Sequence, residues 1–416
     1  MSQPPYSALP TRALYHEDSP SLTFSSVVMA VQGHEVALDA TAFYPEGGGQ
    51  SSDVGQLGWS GTAAEVTAVR KEKASGVIWH ALSADPPAPG SRVEGVVDAD
   101  VRWRHMQRHS GEHLLAQAFA RVSPTFEVAA VSMRGPECTL DLRGEPAESH
   151  VRAAEALLRR TLGRTDLRLH TPIVPESDLG RYPLRRETKV RGQVRLVVFQ
   201  GEGGEPFDVS ACGGTHVPRA SMAAPVVILR TEKQKAGLTR VVFMAGEEAS
   251  AFLAGVYRDA RSLAQGFSVP VTELPGRVAA LQAERDVLRT EADDLRGNLA
   301  AALLAAQPPQ TVQGLLLRDL TVGDAALLLP LLSRVPEGSV LTVSTPAGRC
   351  GVASAHAGVD AGQVLRLALA RTGGKGGGRP ELAQGQTADP EAFGAAVQAV
   401  LAGEKPGQHH PGRSET

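Results

Sequence analysis

Three cysteines in 416 residues, Cys138, Cys212 and Cys350, are too few and too odd a set for a disulfide-built secreted domain, and they agree with a reducing compartment. No apolar run approaches the roughly 20 residues of a membrane span, and the opening Met-Ser-Gln-Pro-Pro-Tyr lacks the charged-then-apolar order of a signal peptide. A cytoplasmic protein without a membrane partner is therefore expected. Excess charge of one sign is also missing. With 42 Lys and Arg against 45 Asp and Glu the net charge is −3, so any contact with nucleic acid has to come from a local patch. One such run exists: Arg181, Arg185, Arg186, Lys189, Arg191 and Arg195 stand against a single Glu187, with Tyr182 among them. It reads either as a phosphate-contacting surface or as a solvated face.

What is present describes an α+β protein of several domains. Apolar content of 42% and charged content of 21% are ordinary for a globular chain, and the length suits two to four domains. Residues 1–100 alternate short β-rich runs with Gly, Asp and Pro turns, which predicts an N-terminal antiparallel β-barrel. A second, α+β domain spans 101–245, with helices expected over 101–120 and 148–162 and strands over 194–199, 226–229 and 241–244. Residues 246–306 form a helical linker, where Leu274, Leu281, Leu288 and Leu295 recur every seventh residue, the pattern of a coiled coil. Its seam closes either on the helix near 249–264 or on a second chain. Pro308-Pro309 ends it. Alternating strands and helices follow over 310–402 and predict an α/β domain with a few parallel strands, and 403–416 reads as a disordered tail.

Two residue pairs carry the chemistry. His109 and His113 stand four apart on the predicted helix, which puts both imidazoles on one face, and Cys212 and His216 stand four apart around Gly213-Gly214. Three nitrogens and a sulfur complete a tetrahedral zinc sphere, so one Zn2+ per chain is expected. The glycines between the second pair are expected to allow a sharp turn. His109-Ser-Gly-Glu112-His113 also spells H-x-x-E-H, a zinc-protease pattern with Glu112 as base, but a cysteine-containing set of four ligands leaves little room for the water that chemistry needs.

In chain order, Phe43-Tyr-Pro-Glu-Gly-Gly-Gly-Gln50 with Asp53 and Gly55, His109-Ser-Gly-Glu-His113-Leu-Leu, Cys212-Gly-Gly-Thr-His216 and Gly374-Lys-Gly-Gly-Gly-Arg-Pro-Glu-Leu-Ala-Gln384 resemble the editing domain and the C-terminal DHHA1 domain of alanyl-tRNA synthetases. The nearest likeness is to AlaX, the free-standing alanyl-tRNA editing proteins, in the long form that carries a DHHA1-like domain. With the predicted barrel starting within residues of the N-terminus, no aminoacylation module is expected. The resemblance implies hydrolysis of mischarged Ser-tRNA(Ala), or of Gly-tRNA(Ala), at the ester joining amino acid to terminal adenosine. It makes tRNA(Ala) the partner. It also makes Gln50 a substrate or oxyanion contact and Ser110, where the family commonly has Thr, a reader of the seryl hydroxyl. Asp208, four residues before Cys212, reads either as a partner fixing the tautomer of a ligand histidine or as a surface carboxylate. Gly47, Gly48, Gly49, Arg185, Arg186, Lys189, Lys375 and Arg379 are the candidate tRNA contacts. Lys375 and Arg379 flank glycines expected to form a phosphate-facing loop. The helix at 271–305 or the C-terminal domain is the candidate homodimer contact. Two metal roles stay open, a closed structural one and one in which a ligand leaves so that zinc polarises the ester. A tRNA-binding module with a structural zinc is the non-enzymatic alternative.

Overall fold

The computed structural model describes residues 10–403, so the expected tail at 403–416 falls outside it except for Gly403. The chain forms two compact units, 1–263 and 264–416. Among the described residues no helix is long and apolar enough to cross a membrane.

The first unit begins with the expected barrel. Strands β1 (Thr23–Gln32), β2 (Glu35–Leu38), β3 (Gly55–Trp59), β4 (Thr62–Lys71), β5 (Ile78–Leu82) and β6 (Arg92–Val97) close in the order β1-β2-β5-β4-β3-β6. Alternation decides which side chains fill it: Phe24, Val28, Leu57, Val66, Ile78 and Val93 point inward around Phe43. Closure leaves no strand edge for another chain to pair with.

Asp98 caps the helix that follows, α1 (Ala99–Val122), by accepting from Val101 N at 2.9 Å. This helix is buried on nearly every side. Met106, Leu114, Leu115 and Phe119 enter the core, and the polar residues Arg102, Arg108, His109, Glu112 and His113 are buried with them. Gly111 lets the helix lie close to the sheet, since a Cβ there would sit 2.6 Å from the Ala245 Cβ. Strands β7 (Val128–Ser132) and β8 (Cys138–Arg143) and the helix α2 (Glu148–Arg164) come next, then β9 (Gln193–Gln200), β10 (Pro206–Ala211), β11 (Val226–Gln234), β12 (Leu238–Ala245) and α3 (Gly246–Gly266). One antiparallel sheet runs β11-β12-β8-β7, and β9 pairs with β10 in a second. The two share a core with α1 and with Val151, Ala154, Leu158 and Leu162, the apolar stripe of α2. Both helices stand where they were expected, whereas β7, β8 and β10 were not among the expected strands, although β8 alternates Cys138, Leu140 and Leu142 and β10 alternates Phe207, Val209 and Ala211. A buried pair, Asp53 with Arg102, ties the barrel to α1, and Arg102 also donates to the carbonyls of Ser19 and Ala42.

The second unit starts with α4 (Leu274–Ala306). Leu288 and Leu295 of its heptad are 63% and 68% exposed, whereas Ala300 and Leu304 are buried among Leu320, Leu331 and Leu341. The last turns of this helix thus belong to the C-terminal core rather than to a linker ending at 306. Strands β13 (Gln310–Val312) and β14 (Leu315–Thr321) precede the short α5 (Leu328–Leu332), then come β15 (Ser339–Ser344), β16 (Arg349–Ser354), α6 (Ala361–Thr372), β17 (Gly374–Gly378), β18 (Leu382–Thr387) and α7 (Pro390–Leu401). They form a six-stranded sheet ordered β13-β14-β15-β16-β18-β17. Only β14 and β15 run parallel, fewer than the strand-helix alternation suggested, because hairpins rather than helices join most neighbours. The expected glycine loop is instead the edge strand β17. Its glycines serve close packing: a Cβ on Gly376 would lie 2.7 Å from Gly385 Cα and 2.8 Å from Leu369 Cδ1 of α6.

Candidate metal centre and cleft

Four segments of the first unit deliver one cluster. Gly47 and Gln50 exchange both backbone hydrogen bonds, at 3.1 and 3.0 Å, and Gly48 and Gly49 between them have φ of +58° and +85°, as a type I′ turn requires. Met133 N donates to Gly49 O at 2.8 Å, docking this turn beside β7 and aiming Gln50 at α1. From α1 come His109 and His113, from β10 comes Asp208, and the segment after β10 supplies Cys212 and His216.

The predicted ligand quartet comes together. One donor atom from each of His109, His113, Cys212 and His216 lies within 4.8 Å of all the others. Cys212 Sγ is 3.4 Å from His109 Nε2 and 3.5 Å from His216 Nε2, close to the roughly 3.3–3.8 Å separations that bonds of 2.0–2.3 Å impose on tetrahedral zinc ligands. The far nitrogen of every ring is held: His109 Nδ1 by Gln50 Oε1 at 2.7 Å, His113 Nδ1 by Asp208 Oδ2 at 2.9 Å, and His216 Nδ1 by Ser110 Oγ at 3.2 Å. Such contacts fix the tautomer so that Nε2 offers its lone pair to the shared centre. The residues therefore fit a zinc ion.

The electrostatics agree. Burial opposes ionisation of the Cys212 thiol, but His109 and His113 beside it hold its pKa well below 9.0. Burial likewise disfavours a charged His113, yet Asp208 and Cys212 raise it to about 10. The shift at Cys212 favours the thiolate, the form in which cysteine binds a metal.

Gln50, Ser110 and Asp208 were each expected at this site, and each turns out to hold one histidine. Gln50 is fully engaged, with Nε2 donating to Thr215 Oγ1 at 2.9 Å, and Ser110 Oγ also accepts from Val217 N at 3.0 Å. Their hydrogen bonds thus support ligands where the family resemblance had suggested contact with substrate. Gly213 and Gly214 have no left-handed φ, so the turn argument does not apply to them. Gly214 is required because a Cβ there would overlap the His109 ring.

The basic run separates by function. Arg195 sits on β9 between core residues and is 8% exposed, and its Nη1 donates to Cys212 O at 2.8 Å and Gly214 O at 3.1 Å, clamping the ligand turn. The flanking Val194 and Leu196 are buried too, which marks a strand covered on both faces and was the signal for a buried arginine. Arg185 pairs with Asp208 at 3.1 Å, Arg181 with Asp178 and Arg191 with Glu176. Arg186 and Lys189 are exposed.

Above the cluster opens a cleft of about 1320 Å³, floored by His109, His113 and Cys212, with Gly47, Gly48 and Glu112 on its walls and Lys71, Lys73, Arg186 and Lys189 also lining it. Gly49 is not part of the lining. Lys375, within β17, and Arg379, just after it, are exposed residues of the second unit.

Three stretches of the chain match known families. Residues 8–101 match the family of class II (A) tRNA synthetases, 194–242 the threonyl and alanyl tRNA synthetase second additional domain, and 325–402 the DHHA1 domain. The chain is similar to the editing and C-terminal parts of alanyl-tRNA synthetase. Alanine–tRNA ligase of Methanocorpusculum labreanum is 30% identical over 415 residues, covering 93% of this chain and 43% of that protein. That of Pyrobaculum neutrophilum is 30% identical over 410 residues, covering 94% and 44%. That of Thermococcus kodakarensis is 31% identical over 408 residues, covering 94% and 43%. The chain thus spans less than half the length of these relatives. The second additional domain match takes in Asp208, Cys212 and His216, and the DHHA1 match takes in Lys375 and Arg379.

Proposed function

We propose that this protein is an aminoacyl-tRNA deacylase that acts in trans on Ser-tRNA(Ala), and on Gly-tRNA(Ala), hydrolysing the ester between amino acid and terminal adenosine. The observation that carries the proposal is the histidine-cysteine cluster at the floor of a cleft lined by cations, in a chain similar to alanyl-tRNA editing parts. The chemistry answers a limit of binding. A pocket sized for alanine cannot exclude glycine by size and rejects an added hydroxyl only about a hundredfold, so errors must be removed afterwards.

In this reading Lys71, Lys73, Arg186 and Lys189 meet the phosphates of the single-stranded 3′ end, and the cleft leads the ester down to the cluster. His109, His113, Cys212 and His216 would hold zinc, whose chemistry there would be a fixed positive charge at the ester end. Four protein donors close its sphere, which favours a metal that shapes the floor over one that carries the attacking water. Gln50, Asp208 and Ser110 keep the imidazoles oriented, and Arg195 keeps the Cys212–His216 turn in place. The test is release of serine from pre-charged tRNA(Ala) by wild type and by Cys212→Ala. Loss of zinc and of release together in the variant supports the reading, and tRNA binding without release by wild type would favour a non-catalytic module.

A further inference from the structure

Glu112 is left over by the account so far. It lies on α1 between two metal-ligand histidines, is 4% exposed, and lines the cleft. Among the described residues it accepts no hydrogen bond. Its nearest charged neighbours are Arg185 Nη1 and His113 Nε2, each 3.8 Å away. Arg185 is already committed, to Asp208 at 3.1 Å and to Ser210 Oγ at 3.2 Å. The Glu112 oxygens open onto the cleft with these two groups 3.8 Å away and no hydrogen bond made, so the carboxylate is free to accept from a donor that arrives with a ligand.

The position says which donor. In an aminoacyl ester the ammonium is one carbon from the carbonyl that reacts, so its anchor must stand beside the floor where the ester is cleaved, and Glu112 adjoins His113 there. Two other carboxylates line the cleft, but Glu46 is taken by Arg134 and Glu187 is exposed. Resting on the deacylase function proposed above, we infer that Glu112 binds the α-ammonium group of the aminoacyl ester and so restricts the site to esters with a free amino group. An ester whose nitrogen is acylated, as in peptidyl-tRNA, presents a neutral amide and is spared.

The experiment compares the full-length, zinc-loaded protein on Ser-tRNA(Ala), N-acetylseryl-tRNA(Ala) and glyceryl-tRNA(Ala), the last with a hydroxyl in place of the ammonium. Wild type should prefer the seryl ester by about ten- to hundredfold, the range for one charge-assisted hydrogen bond. Glu112→Gln should lose that preference, mainly through KM on the seryl ester, with a far smaller change on the glyceryl ester. Glu112→Asp should restore part of it. Equal slowing on seryl and glyceryl esters in Glu112→Gln, or a wild type that cleaves both equally well, would overturn the proposal while leaving the deacylase reading intact. Should Glu112→Gln fail to fold, as judged by melting and zinc content, the wild-type seryl-to-glyceryl ratio decides alone. A wild type that cleaves no aminoacyl ester would overturn the deacylase reading and this proposal with it.

Discussion

Replacing Asp208 by Asn tests whether the three ring contacts hold the metal site. The Asp208 side chain is fully buried, bonds His113 Nδ1 at 2.9 Å, and pairs with Arg185 at 3.1 Å. Burial opposes its charge, but Arg185 and His113 outweigh that and hold its pKa below 3.8. Asparagine keeps the shape and an acceptor while removing the charge, which should weaken zinc binding about tenfold to hundredfold, or roughly 1.4–2.7 kcal/mol. The neutral contacts should matter less: Gln50→Ala and Ser110→Ala each lose a bond worth about 0.5–1.5 kcal/mol, a two- to tenfold effect, with Ser110 the smaller because its contact is 3.2 Å against 2.7 Å. Chelator competition at fixed pH measures the affinities. Melting of the metal-free proteins separates lost stability, since leaving Arg185 with Glu112 at 3.8 Å as its one carboxylate, beside Ser210 Oγ at 3.2 Å, costs toward the lower end of about 3–5 kcal/mol for a broken buried pair. Zinc affinity in Asp208→Asn within twofold of wild type, or a larger loss in Ser110→Ala, would refute the reasoning.

Two further outcomes are expected. Burial opposes the charge of Asp53, but His105, 3.5 Å away, and Arg102 overcome it and hold its pKa below 3.8, so its contribution to stability is complete above roughly pH 4 and is lost as pH falls through the lower folded value. Between pH 5 and 3 the melting temperature of wild type should therefore fall further than that of Asp53→Asn, and parallel curves would contradict the assignment. Lys375→Ala with Arg379→Ala should weaken tRNA binding and reduce its log–log salt slope by about 1.4 if both meet single-stranded phosphates, without altering kcat on saturating substrate. An unchanged slope would remove these residues from the interface.

The gathering of His109, His113, Cys212 and His216 was legible because zinc chemistry would fix both residue type and spacing: a four-residue step on a helix admits few other geometries for His109 and His113. Asp208 read either as a partner for a histidine or as a surface carboxylate, and the structure buries it against His113. Gln50 and Ser110 were placed at the site, but their bonds to His109 and His216 were not foreseen, since adjacency in sequence does not say whether a side chain faces the cleft or the back of a ring. The same limit dispersed the basic run, where strand and turn geometry sent Arg185 and Arg195 inward and left Arg186 and Lys189 outside. Glycine was the least transparent residue. Gly214 is there for space beside His109, and Gly374–Gly378 pack an edge strand against α6, although both had read as turn or loop signals.

The central claim is tested most directly by incubating zinc-loaded protein with Ser-tRNA(Ala) and with Ala-tRNA(Ala) and following release of each amino acid. Rapid release of serine while alanine stays attached is the predicted result. Equal release of both, or stable Ser-tRNA(Ala) in the presence of protein that binds it, would contradict the account.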